Sequence, residues 1–171
     1  KDEQQYLKDY VIKVVDNNGF PVVGLTVTPR IDVLRYAKGF LKNPVPTDGS
    51  SIFTFTAICD REDTNANDVL DPLEDVNNDG SLTPARATVS VQAVNGLATN
   101  SDGTVLLQVQ YPKNYANWLA VRLKVTASVT GSESSASELF GLGFVAGDEA
   151  KPGAAFAESP YGVSGSCADR L

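Results

Sequence analysis

Eight acidic side chains, Asp60, Glu62, Asp63, Asp68, Asp71, Glu74, Asp75 and Asp79, fall within residues 60–79 against a single base, Arg61. Carboxylates at this density can act as an acid–base pair on a glycosidic bond, or they can surround a hard cation. Spacing separates the two. Residues 63–74 and 75–86 align without a gap as consecutive twelve-residue units: Asp63 with Asp75, Asn65 with Asn77, Asn67 with Asp79, Leu70 with Leu82 and Pro72 with Pro84. Alternate residues of a tightly curled loop point inward, and Ca²⁺ takes six to eight oxygens at roughly 2.3–2.6 Å. The first unit offers Asp63, Asn65, Asn67, the Val69 carbonyl and Asp71, closed by Glu74 as a bidentate ligand. The second offers Asp75, Asn77, Asp79, Ser81 and Thr83.

The units differ in quality. A sharp turn at the sixth position favours glycine, and the second unit has Gly80 there while the first has Asp68, which tolerates the left-handed conformation at some cost. At the twelfth position the second unit carries Arg86 where a carboxylate is needed. It therefore requires an acid from elsewhere, with Asp60, Glu62, Glu74 and Asp75 as candidates. The first unit has the ligand spacing of an EF-hand loop, but Pro72 and Pro84 interrupt the flanking helices of that motif. In this respect the segment is similar to the helix-poor calcium loops of thrombospondin type 3 repeats. The competing reading is a solvated array of Asx turns.

Other chemistry is scarce. The chain of 171 residues has no histidine, which removes imidazole bases and His-ligated zinc. The dense carboxylates have calcium-loop spacing and no aromatic sugar platform around them, so no enzyme activity is expected. Outside residues 60–79 there are 13 acids and 13 bases. That balance gives no basic track for nucleic acid, and no apolar run reaches the ~18 residues of a membrane helix. Trp118 with Tyr111 and Tyr115 could stack a glycan, although a tryptophan opening a long strand is more often core.

The elements that carry the acidic segment read as strands. From 119 to 129, Leu119, Val121, Leu123, Val125, Ala127 and Val129 alternate with smaller or polar residues, as in a strand with one face in a core. The same period places Val105, Leu107, Val109 and Tyr111 inward, then Phe53, Phe55 and Ala57, then Val23, Leu25 and Val27, and Val89, Val91 and Ala93. Asx–Gly clusters at 16–19, 47–50 and 100–103 supply turns. Residues 31–41 fit helix or strand. About seven short strands predict an all-β antiparallel β-sandwich, as a single domain over 1–171 with an insertion at 60–86 and an irregular, surface-crossing tail at 147–171.

Cys59 and Cys167 stand 108 positions apart with no CxxC pair. Two buried free thiols are possible; an acidic, strand-rich chain with a Gly/Ser/Pro-rich tail favours a disulfide. A start at Lys1 without methionine or signal sequence suggests a mature product or an excerpt of a longer chain.

The phrases from Asp16 to Thr28 and from Thr99 to Pro112 resemble strands of bacterial Ig-like domains of the invasin/intimin type. The resemblance implies an immunoglobulin-like module of a cell envelope or secreted protein, commonly in tandem with neighbouring domains and without catalytic residues. It leads to the expectation of a calcium-stabilised structural or adhesive module, extracellular or in a bacterial envelope, whose partner is an unknown protein or glycan at the cell surface. A carbohydrate-binding module or an accessory domain of an envelope enzyme is the alternative.

Overall fold

A computed structural model describes residues 4–129 and 132–170, with the side chains of 129 and 132 left out of the description. The inward placement expected of Val129 therefore lies outside the described residues. The chain is all-β, with two antiparallel sheets stacked as a sandwich. Strands β1 (Gln5–Lys13), β5 (Thr104–Pro112) and β4 (Ser90–Ala93) form one sheet in the order β1-β5-β4. Strands β3 (Phe53–Asp60), β2 (Val27–Leu41), β6 (Leu119–Val129) and β7 (Ser132–Gly141) form the other in the order β3-β2-β6-β7.

Period-two patterning builds the interior. Val105, Leu107, Val109 and Tyr111 of β5 are buried, as are Leu119, Val121, Leu123 and Val125 of β6. β6 lies against β2 with Ile31 opposite Leu123 and Val33 opposite Val121, so one row of branched side chains faces the β5 row across the core. Trp118 is fully buried, with its indole N–H donating to the Phe156 carbonyl at 3.1 Å. The reading of Trp118 as core is the one the fold supports, and with Tyr111 also buried the aromatic trio offers no exposed glycan platform.

One open reading is settled and three inward placements are corrected. Residues 31–41 are strand throughout, because β2 is fifteen residues long and pairs with β3 on one side and β6 on the other. Its period is broken by register shifts at Val33/Arg35 and Lys38/Gly39. Gly39 is required there: at φ 139° a Cβ would stand 2.0 Å from the Thr54 carbonyl oxygen. Phe55, opposite Gly39, lies beyond this shift on an edge strand and is 46% exposed rather than inward, its ring edge-on to Trp118 at 5.8 Å. Val23 and Leu25 are not in a strand, since Gly24 at φ 74° turns the chain before β2 begins; Val23 is 63% exposed.

The tail has no strand, as expected, but it does more than cross the surface. Phe156 and Ser159 are buried, and Ser159 Oγ donates to the Ala37 carbonyl at 2.6 Å. Lys38, buried on β2, donates through Nζ to the Asp169 carboxylate at 2.8 Å and to Ser164 Oγ at 3.2 Å. Cys59 and Cys167 are bonded, with Cα atoms 5.7 Å apart, which fastens the tail to β3. Among the described residues no helix is long and apolar enough to cross a membrane.

Candidate metal centre

β3 is the edge of the four-stranded sheet and β4 the edge of the three-stranded one, so residues 61–89 carry the chain from one layer to the other. This crossing contains both twelve-residue units. It has no α-helix, and a short 3-10 turn at Arg86–Thr88 leads into β4. Its root is tied to the sheet by the Arg61 N–H donating to the Leu34 carbonyl at 2.9 Å.

The two units fold alike. Left-handed backbone recurs at the fourth position, Ala66 (φ 62°) and Asn78 (φ 57°), and at the sixth, Asp68 (φ 62°) and Gly80 (φ 76°). Asp68 thus adopts the conformation that its position demands. The first-position carboxylate stabilises each curl by accepting from the fifth and sixth N–H groups. Asp63 receives Asn67 N and Asp68 N, both at 3.1 Å, and Asp75 receives Asp79 N at 2.8 Å and Gly80 N at 2.9 Å. The fifth-position side chain then accepts from the seventh N–H: Asn67 Oδ1 from Val69 at 2.7 Å, Asp79 Oδ1 from Ser81 at 2.8 Å.

Inside the first loop, Asp71 Oδ2 collects the amide groups of Asn65 and Asn67, each at 2.8 Å, and Asn65 Oδ1 accepts from Asn67 N at 3.0 Å. Glu74 closes it, accepting from Thr64 N at 2.9 Å, Thr64 Oγ1 at 2.7 Å and Asp71 N at 3.1 Å. The Thr64 hydroxyl, followed by the Asp71 N–H, holds the Glu74 carboxyl below the ordinary carboxylate range.

The second loop is more deeply set. Asn77 and Thr83 are buried, the Asn77 amide donates to Thr83 Oγ1 at 3.0 Å, and Thr83 Oγ1 donates to Asp79 Oδ2 at 3.3 Å. Burial works to raise Asp79, but the Ser81 hydroxyl and N–H and the neighbouring Arg170 outweigh it, so the group sits lower than usual. Arg170 also donates to the Asp79 carbonyl at 2.5 Å. Among the described residues four buried side-chain oxygens have no hydrogen-bond partner, the Tyr10 and Tyr161 hydroxyls, Thr56 Oγ1 and Asn77 Oδ1, and of these only Asn77 Oδ1 lies in the insertion.

Glu62, from before the first unit, lies against the second loop. It is 2% exposed and accepts from Val76 N at 3.0 Å, Asn77 N at 3.1 Å and Thr83 N at 2.7 Å. Arg86, at the vacant twelfth position, turns back to pair with Asp68, and Asp60 pairs with Arg35 at 2.8 Å on the surface of the sheet. Between the insertion, β2 and β4 lies a cleft of about 910 Å³ with Ile31, Val33, Leu82 and Val91 among its walls.

Among the described residues, no three His, Cys, Asp or Glu side chains converge as a ready metal cluster. The carboxylates instead lie on backbone N–H groups, and much of each loop's donor set is amide, hydroxyl or carbonyl oxygen. The orphaned Asn77 oxygen at the third position fits a cation: a buried carbonyl oxygen with no N–H or O–H to accept is costly unless something positive faces it. In comparison with known proteins, no family model, no curated protein and no solved structure matches the chain.

Proposed function

We infer that the chain is a non-catalytic, calcium-stabilised module, structural or adhesive, of a bacterial cell-surface or secreted protein. The observation that carries this reading is Asn77 Oδ1, buried and unpartnered at a ligand position of a loop whose in-register twin has the same backbone. In the first loop, Asp63, Asn65, Asn67, the Val69 carbonyl, Asp71 and Glu74 would hold one Ca²⁺. In the second, Asp75, Asn77, Asp79, Ser81 and Thr83 would contribute to another. The cation supplies neutralisation, since residues 60–79 otherwise carry eight acids against one base across a link between two sheets.

The disulfide supports an oxidising compartment, and the Ig-like reading is consistent with the two stacked antiparallel sheets. A carbohydrate-binding module loses its main support because Trp118 and Tyr111 are interior. Calorimetric titration of the chelated protein tests the calcium reading: saturable binding of Ca²⁺ is expected, and no heat up to millimolar Ca²⁺ would overturn it. A glycan array on the same protein separates a protein-adhesive from a glycan-binding role, with no saturable glycan expected for the former.

A further inference from the structure

Glu62-Asp63 and Glu74-Asp75 are the same dipeptide twelve residues apart, and each sends its two carboxylates to different loops. Glu74 lies on the second and ninth N–H groups of the first loop, Thr64 and Asp71. Glu62 lies on the second and ninth N–H groups of the second loop, Val76 and Thr83. Asp63 organises the first loop and Asp75 the second. One acid is therefore exchanged: the second loop is closed by the residue that precedes the first, not by its own twelfth residue.

We propose that Glu62 is the closing calcium ligand of the second loop, and that the exchanged Glu-Asp dipeptides make the two ions bind as a coupled pair. The inference rests on the calcium reading above and assigns a ligand that the linear spacing of the second unit lacks. Two features besides the acidity of the segment point to it. Asn77 Oδ1 is an unpartnered oxygen on a residue 8% exposed, and its amide, bonded to Thr83 across the curl, sits inside the second loop. Glu62 is itself buried against that same loop, and a carboxylate has about four lone-pair sites, so its N–H bonds leave room to meet a cation.

Coupling follows from covalent connection. An ion in the second loop fixes Glu62, and Asp63, the first ligand of the other site, is the next residue. An ion in the first loop fixes Glu74, and Asp75 is the next residue. Each binding event thus removes conformational freedom that the other would have had to remove, which appears as positive cooperativity. Glu62 also joins this pair to the sandwich, because its own N–H donates to the Thr83 carbonyl at 2.9 Å immediately after the β3 strand ends.

The test is Ca²⁺ titration of the intact, chelated chain beside Glu62→Asp and Glu62→Gln. Wild type is expected to take two ions with a Hill coefficient above one. Glu62→Asp keeps the charge but shortens the reach; it should weaken the second ion at least tenfold and the first several-fold, while Glu62→Gln should bind one ion, weakly. Two ions with no coupling in wild type would overturn the paired mechanism. Unchanged affinity in Glu62→Asp would overturn the ligand assignment. If wild type takes no Ca²⁺ at all, the calcium reading itself fails. Circular dichroism reports whether each variant folds. If Glu62→Gln does not, Glu62→Asp and the wild-type Hill coefficient still decide.

Discussion

The two loops have one backbone and different surroundings. In the first, Asn65, Asn67, Asp63 and Asp71 bond mainly to one another, and most of its residues remain at least partly exposed. In the second, Asn77 and Thr83 are buried, Glu62 reaches in from the end of β3, and Arg170 lies against Asp79 from the tail. The first loop is complete in sequence and loosely held. The second is incomplete in sequence and built into the fold. Ligand identity and preorganisation are thus separate features of the two proposed cation sites, and the better linear motif is not the better anchored one.

The largest way to break this contrast is at the disulfide. Cys59→Ser with Cys167→Ser releases the tail that holds Arg170 beside the second loop. The loop-entropy model assigns about 4–5 kcal/mol to a closure of this length, with native strain able to reduce it. The expected result is a clear fall in the denaturation midpoint and faster proteolysis of the tail, checked by chemical denaturation and limited digestion. Intact mass of the unreduced wild type should show two hydrogens missing. A double variant as stable as wild type would show that the bond contributes little to the fold.

Next comes the asparagine pair. Asn77→Ala should cost about 1 kcal/mol in chelator, because it leaves buried Thr83 without the amide it now accepts, a loss partly offset by removal of the unpartnered Oδ1. Asn65→Ala, at the equivalent position of the exposed loop, should cost under about 0.5 kcal/mol. Urea melts of both variants measure the difference. Equal costs would erase the distinction between the loops.

The sixth position gives a smaller effect. Gly80→Ala should lose about 1 kcal/mol to the left-handed conformation although nothing lies within 4 Å of the added Cβ. Asp68→Gly relieves the same backbone in the first loop but gives up the partly exposed pair with Arg86, itself contributing about 0–1 kcal/mol, so its net change should be close to zero. Thermal melts at low and high salt separate the two contributions, since only the ion pair is screened.

How much of this was legible follows from the physics of each element. β5 and β6 alternate cleanly because one face of each packs in a core, and both were readable. β2 was ambiguous because two register shifts break its period and Lys38, an unexpected interior residue, is buried against Asp169 and Ser164. β7, with the sequence SESSASELFG, was missed: its side chains are largely exposed, so it carries no hydrophobic period and is held by its backbone ladder with β6. β1 was missed as well, with Leu7 and Val11 outward and its ladder set by β5. In the insertion, the tandem repeat predicted two like loops, and the backbone angles agree. Glu62 was only one of four candidate acids, because its contact with Thr83 spans 21 residues. The signal that could have singled it out was the second Glu-Asp dipeptide twelve residues later.

If calcium holds the insertion to the sandwich, as proposed, the melting temperature of the intact chain must differ between EDTA and excess Ca²⁺. Each site filled at a hundredfold excess over its dissociation constant adds about 2.7 kcal/mol. For a chain of this size two such sites correspond to a rise of about 10 °C or more. That rise is expected, together with protection of residues 60–86 from protease. An identical melting temperature and identical cleavage in EDTA and in millimolar Ca²⁺ would contradict it and leave the two loops as hydrogen-bonded turns.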